Sequence, residues 1–193
     1  MSPVDKLSTG DATAGPGRGL VWQHRGMPEL TVRPMAEDEF DEWHDSVMRE
    51  YAASQAAAGA GTFEEHLART REGQAALLPS GQQTPGMLFL HGVRDDGAVV
   101  GSMWISLEHP RGFQDCAFLY EIAIDERFQG KGYGRALLTA GEQVVREHGV
   151  SGLELNVFGD NARAINLYAT AGYRVVTQQM RKDLGSGGGD HER

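Results

Sequence analysis

Three glycines alternate at Gly130, Gly132 and Gly134, after the apolar stretch Tyr120-Glu121-Ile122-Ala123-Ile124 and before a helical run read from Gly132 to His148. This strand, turn and helix constrain the chain more than any other feature. The missing Cβ atoms let the backbone come close to a bound group. The first helical turn leaves N–H groups unbonded, and the helix dipole favours an anion there. Lys131 and Arg135 add positive charge in a chain whose formal net charge is −9. A phosphate or pyrophosphate therefore fits the segment from Gln129 to Arg135.

Two familiar phosphate loops do not fit. A P-loop needs Gly-Lys followed by Ser or Thr, and Lys131 is followed by Gly132. The dinucleotide fingerprint needs a glycine three residues after Gly132, where Arg135 stands. Glu154 lies at the distance expected of a ribose-binding acid, but it sits mid-strand, and a β-hairpin precedes the turn where a βα unit is required.

The rest of the chain reads as an alternation of elements. Leu30–Pro34 is a short strand. Phe40, Trp43, Val47, Met48 and Tyr51 recur at helical spacing in a helix over about 37–58. Thr62 and Glu65 form a capping-box signature for a second helix ending near Leu78. Met87–Val93 and Ala98–Leu107 flank Asp95-Asp96-Gly97 as a hairpin, and Asp115–Ile124 is the next strand. After the glycine turn and its helix, Gly149 is a C-cap. Leu153–Val157 is a strand, Asn161–Ala171 a helix closed by Gly172, and Tyr173 to about Leu184 the last strand. The order predicts an α+β domain with a mixed sheet. Residues 1–28 and 185–193 are rich in Gly, Ser and polar residues without apolar period. Such stretches cannot offset their ordering entropy, so the domain is expected over 29–184.

Composition narrows the function. The acidic balance argues against a nucleic-acid partner, which needs a basic face. No apolar run approaches the ~18 residues of a membrane span, and the N-terminus lacks a secretory pattern. The single cysteine, Cys116, rules out an internal disulfide and reads as a small apolar residue. A cytoplasmic protein, monomer or homodimer, is expected. The seven histidines show no ligand spacing, so no metal is expected.

Gln129-x-x-Gly132-x-Gly134 resembles the acetyl-CoA pyrophosphate loop of the GNAT (GCN5-related N-acetyltransferase) superfamily. Leu155-Asn156-Val157-x-x-x-Asn161-x-x-Ala164-x-x-Leu167-Tyr168-x-x-x-Gly172-Tyr173 resembles that superfamily's second half. The resemblance spans about Leu30 to Leu184. It implies the GNAT fold: a sheet of about six to seven strands, splayed between the fourth and fifth, with about four helices. It also implies that backbone groups of Ile122, Ala123 and Ile124 pair with the pantetheine arm. The amides of Gln129, Gly130, Lys131, Gly132, Tyr133, Gly134 and Arg135 would hold the pyrophosphate. Asn161 would contact the pantetheine or its phosphate end, while also serving as a helix N-cap. Ala164 is small, as a residue facing the cofactor should be. Tyr168 stands where family members place a phenol that protonates the leaving thiolate.

The attacking amine needs a base. Glu121 lies in the strand beside the thioester among apolar neighbours, where desolvation raises a carboxyl's pKa. Asn156 is no base, but its amide can hold a relay water. Trp43, Tyr51 and the acids Glu37 to Asp45 are candidates for selecting a cationic acceptor. The expected activity is acetyl transfer from acetyl-CoA to a primary amine of a small molecule or peptide, by direct attack in a ternary complex. The competing expectation is an acyl-CoA-binding sensor that has lost turnover.

Overall fold

The computed structural model describes residues 21–22, 28–57 and 61–182. The expectations for 1–20, 23–27 and 185–193 lie outside the described residues, whereas Val21–Trp22, expected to carry no structure, form a strand. The chain divides into two compact units, one up to Asn156 and one from Val157 onward.

In the first unit the strands are β1 (Val21–Trp22), β2 (Leu30–Pro34), β3 (Met87–Val93), β4 (Val99–Ser106), β5 (Cys116–Ile124) and β6 (Gly152–Leu155). They form one sheet in sequence order, antiparallel from β1 to β5, with β6 parallel to β5. Helices α1 (Glu37–Ala57) and α2 (Phe63–Leu77) follow β2, and α3 (Tyr133–Glu147) follows β5. The edge strand β1 comes from a stretch whose composition gave no sign of it.

Local chemistry accounts for the helix ends. Glu39 accepts the Ala36 N–H at 2.7 Å and pairs with Arg33 at 2.7 Å, tying the start of α1 to β2. In α2 the Thr62 hydroxyl accepts the Glu65 N–H at 3.2 Å, and the Glu65 carboxylate accepts the Thr62 N–H at 3.0 Å. This is the reciprocal box read from the sequence. Gly132 precedes α3 with φ +88°, a conformation that favours glycine.

Alternation across the strands sorts the core into two layers. Leu137 of α3 lies against Gly92, and Gly141 against Met103 and Ile105. On the opposite face Phe40 and Trp43 of α1 meet Phe89 and Trp104, with ring centroids 4.6–6.2 Å apart. Trp43 Nε1 donates to Ser102 Oγ at 3.0 Å, so this side chain belongs to the core and does not face an acceptor.

The second unit holds α4 (Ala162–Thr170), capped at its start by Asn161, whose Oδ1 accepts the Ala164 N–H at 3.0 Å. The strand expected from Tyr173 to about Leu184 does not form: 173–182 carry no ladder. Val175 and Met180 are 81% and 85% exposed. Apolar residues at strand-like spacing favour extended chain, but a strand exists only where a neighbour takes its backbone bonds. The sheet thus reaches six strands through β1.

Candidate active site

Strand β5 loses its neighbour halfway along. Its ladder with β6 runs only from Cys116↔Gly152 to Leu119↔Leu155, while its ladder with β4 continues to Ile124. The two parallel strands therefore separate beyond Leu119, as expected between the fourth and fifth strands counted from Leu30. Ile122, Ala123 and Ile124 lie opposite Met103, Ser102 and Gly101 on the β4 side and, among the described residues, have no strand on the other. A Cβ on Gly101 would stand 2.2 Å from the Ala123 carbonyl oxygen, so β4 and β5 approach as closely as they do only with glycine there.

The glycine turn follows directly. Gly130 and Gly132 have φ of +73° and +88°. The amides of Gly130 to Gly134 donate to no other described residue, as expected of a helix entrance shaped for an anion. Gln129 Nε2 donates to the Ile124 carbonyl at 2.9 Å, fastening the turn to the end of β5. Lys131 Nζ donates to the Arg127 carbonyl at 2.8 Å. Arg94, Arg127 and Lys131 all lie over the Phe128 ring, 5.1–5.9 Å from its centroid. Arg94 and Arg127 are each held by an acid, Asp96 at 3.1 Å and Asp125 at 3.0 Å, so they frame the Phe128 ring without adding net charge to the turn. The first comes from the far end of β3, and no local spacing reveals it.

Glu121 is placed by an irregularity. Trp104 pairs with Glu121 and Ile105 with Leu119, so Tyr120 is an extra residue in β5. Such a bulge sets consecutive side chains on one face where a regular strand would split them. Tyr120 stacks on Trp104 with centroids 4.5 Å apart. Both Tyr120 and Glu121 line a cavity of about 810 Å³ walled by α1 and α2 and floored by Trp104. Burial, and then the charge of Glu50, push the Glu121 carboxyl up to about 7. Its Oε2 is buried and bonds to no other described residue.

Of the residues expected to choose an acceptor, Tyr51 lines this cavity and Trp43 does not. The acids Glu39 and Asp45 are engaged by Arg33, Arg49 and Arg71. The α1 acid that lines it beside Glu121 is Glu50, which lies outside the acidic run Glu37 to Asp45.

Asn156 closes the first unit as an exposed residue just after β6. In the second unit Asn161 is exposed and Ala164 half-buried. Tyr168 is half-buried on α4, its ring 5.7 Å from that of Tyr173. Burial raises the Tyr168 phenol above its usual value, so it carries its proton at neutral pH. Glu121 and Tyr168 belong to different units.

Histidine spacing missed one cluster. Donor atoms of His109, Cys116 and Glu154 lie within 4.8 Å of one another. His109 Nδ1 accepts the Arg111 N–H at 3.1 Å, which places the ring proton on Nε2, the atom 3.6 Å from Glu154. A metal needs a lone pair at that nitrogen. Arg111 also bonds Glu154, and burial, followed by the Glu154 charge, raises the Cys116 thiol. The cluster is therefore an internal polar network in this protonation state.

Comparison with known proteins bears on this geometry. Residues 35–173 match the model of the acetyltransferase (GNAT) family. The uncharacterized N-acetyltransferase YdgE of Bacillus subtilis is 29% identical over 157 residues, covering 80% of this chain and 98% of YdgE. The uncharacterized N-acetyltransferase YycN of the same organism is 30% identical over 155 residues, covering 80% of this chain and 99% of YycN. Its crystal structure superposes with a TM-score of 0.72 over 81% of this chain and 99% of that one. PaiA N-acetyltransferase of Thermoplasma acidophilum, solved in complex with coenzyme A, shares the fold at 19% identity, with a TM-score of 0.55 over 78% of this chain and 92% of that one. The open edge of β5, the unbonded amides of the turn and these matches lead to one statement: the chain belongs to the acetyltransferase (GNAT) family.

Proposed function

We propose that the protein transfers an acetyl group from acetyl-CoA to a primary amine by direct attack in a ternary complex. One observation carries the reading. The unpartnered edge of β5 runs from the turn amides to Glu121, whose carboxyl lines the cavity between α1 and α2. The Gly130 to Gly134 amides, with Lys131 and Arg135, meet the pyrophosphate. The edge at Ile122, Ala123 and Ile124 receives the pantetheine amides as an added strand would be received. The coenzyme A bound to PaiA supports this choice of donor.

The amine reaches the site as an ammonium and loses a proton to Glu121, whose carboxyl near 7 is matched to that task at neutral pH. The free nitrogen attacks the thioester carbonyl and a C–N bond forms; the nitrogen of the tetrahedral intermediate gives its second proton to water, and the intermediate collapses with loss of the C–S bond. The leaving thiolate takes a proton from the Tyr168 phenol, which is replenished from solvent. The products are the amide, coenzyme A and one proton, passed from Glu121 to water. Asn161 and Ala164 border the pantetheine, and Asn156 holds a water on the proton's path.

Mass spectrometry of amines, amino acids, polyamines, aminoglycosides and peptides incubated with acetyl-CoA tests the reading. Acetylated amine, formed by wild type and about 10²–10⁴-fold more slowly by Glu121→Gln, is the expected outcome. Tight acetyl-CoA binding with no product from any amine would instead identify a sensor.

A further inference from the structure

We infer that the acceptor carries an oxyanion, carboxylate or phosphate, beside its amine, and that Arg69 on α2 binds it; this rests on the acetyl-transfer reading of the cavity.

The α2 wall of the cavity is a single helical stripe: His66, Arg69, Thr70, Gly73, Gln74 and Leu77. A helix packed on a core turns an apolar stripe inward. The residues that line the cavity here are mainly polar, with Arg69 and Gly73 exposed at its rim, Thr70 and Gln74 half-buried, and His66 the only buried residue of α2. The stripe is therefore shaped for a polar occupant.

Arg69 stands apart from the arginines around it. Arg33 is held by Glu39 at 2.7 Å, Arg49 by Asp45 at 2.6 Å and Arg71 by Asp45 at 3.3 Å. Arg69 makes no hydrogen bond and no ion pair within 4 Å among the described residues. Its electrostatic neighbour is Glu65, one turn back, and that carboxylate already accepts the Thr62 N–H. A guanidinium presents five donors in a planar fork that fits a carboxylate or phosphate with two parallel bonds. One turn before it, His66 is 7% exposed, and its Nε2 bonds to no other described residue. A buried nitrogen left without a partner costs free energy that a ligand can recover. One turn after it, Gly73 sits within the helix, and a Cβ there would meet nothing within 4 Å. A mid-helix glycine costs about 0.5–1 kcal/mol relative to alanine, and here it leaves the wall bare.

Charge is thus divided across the cavity. The carboxylates of Glu50 and Glu121 come from α1 and β5, and the guanidinium of Arg69 comes from α2. A polycation would gain at the first wall and be repelled at the second. A zwitterion, with its ammonium at Glu121 and its oxyanion at Arg69, satisfies both. The volume, about 810 Å³, suits an acceptor larger than a bare alkylamine.

The test uses the full chain and matched acceptors: the common amino acids as free acids and as carboxamides, and phosphoethanolamine beside ethanolamine. Transfer is followed at saturating acetyl-CoA, and acceptor binding is measured by calorimetry with coenzyme A bound. Wild type should favour oxyanion forms over their neutral partners by about 10-fold or more in kcat/KM, the scale of a charge-assisted bidentate contact. Arg69→Gln should raise the KM of the oxyanion forms about 10–100-fold, leave the neutral forms and the KM for acetyl-CoA nearly unchanged, and so erase the preference. Arg69→Lys should restore part of it. Preference for carboxylates over phosphoethanolamine, or the reverse, identifies which oxyanion the site takes. Equal or better use of the neutral forms by wild type, or equal slowing of both forms by Arg69→Gln, overturns the inference. If no amine is acetylated, the transfer reading fails, and calorimetry still decides on Arg69: oxyanion forms that bind no tighter than their amides overturn it.

Discussion

At the residue scale, Glu121 makes the most exposed claim. Its carboxyl is raised from 4.5 to about 7 because burial disfavours the charged form. Below pH 4.5 it is protonated folded and unfolded, and its burial costs nothing by linkage. As pH rises towards 7 the unfolded chain ionises while the folded one resists, so stability falls; above about 7 the loss is complete, at about 3 kcal/mol. Glu121→Gln removes this titration. Denaturant unfolding should show the variant gaining stability relative to wild type from pH 5 to 7.5, and a pH-independent difference would mean that the carboxyl is not shifted. Tyr168→Phe belongs to this scale too. Its hydroxyl acts as the thiolate leaves, so kcat should drop about 10–10³-fold with little change in the KM for acetyl-CoA. Full turnover in single-turnover experiments would leave Tyr168 a packing residue. Glu121 was legible as a candidate because an acid stood among apolar residues in the right strand. Glu50 and Arg69 were not, because their role depends on which faces of α1 and α2 meet the cavity.

At the scale of elements, the glycine turn allows a controlled comparison. Gly132 and Gly149 flank α3 with φ of +88° and +80°. An alanine in this left-handed conformation costs about 1–2 kcal/mol, so both Gly→Ala changes should lower the melting temperature. Gly132→Ala also brings a Cβ within 3.0 Å of the Pro28 ring and reshapes the amides meant for pyrophosphate. It alone should weaken acetyl-CoA binding, by about 10-fold or more, since each charge-assisted bond lost there counts about 1.5–3 kcal/mol. Equal calorimetric affinities for the two variants would contradict the assignment of the turn. Thr62→Ala, which removes half of the reciprocal cap on α2, should cost about 1 kcal/mol of stability measured by thermal unfolding. These caps and turns were readable because their chemistry is local, and the ends of α2, β3 and α3 fell within a residue or so of expectation. The bulge at Tyr120 and the short ladder of β6 are tertiary facts set by Trp104, Ile105 and the separation of β5 from β6. The strand expected after Tyr173 is absent from 173–182 for the same reason: Val175 and Val176 have strand-like character, but among the described residues no edge takes their backbone bonds.

At the scale of the whole molecule, fold and chemistry meet along β5. The strand pairs fully with β4 and only in its first half with β6. Its free half joins the entrance of α3 to a cavity that holds a carboxyl poised near neutrality. No helix among the described residues is long and apolar enough to cross a membrane. The acidic balance of the chain, −9 overall, is consistent with an amine-bearing acceptor, but the division of charge in the cavity says more than the total. The most direct test of the account is the pH dependence of acetyl transfer to an accepted amine, for wild type and Glu121→Gln, at saturating acetyl-CoA. The account predicts a wild-type kcat that rises through an ionisation near 7. It predicts a variant slower by about 10²–10⁴-fold that lacks this ionisation and keeps its affinity for acetyl-CoA. A variant with wild-type rates and the same profile would contradict it.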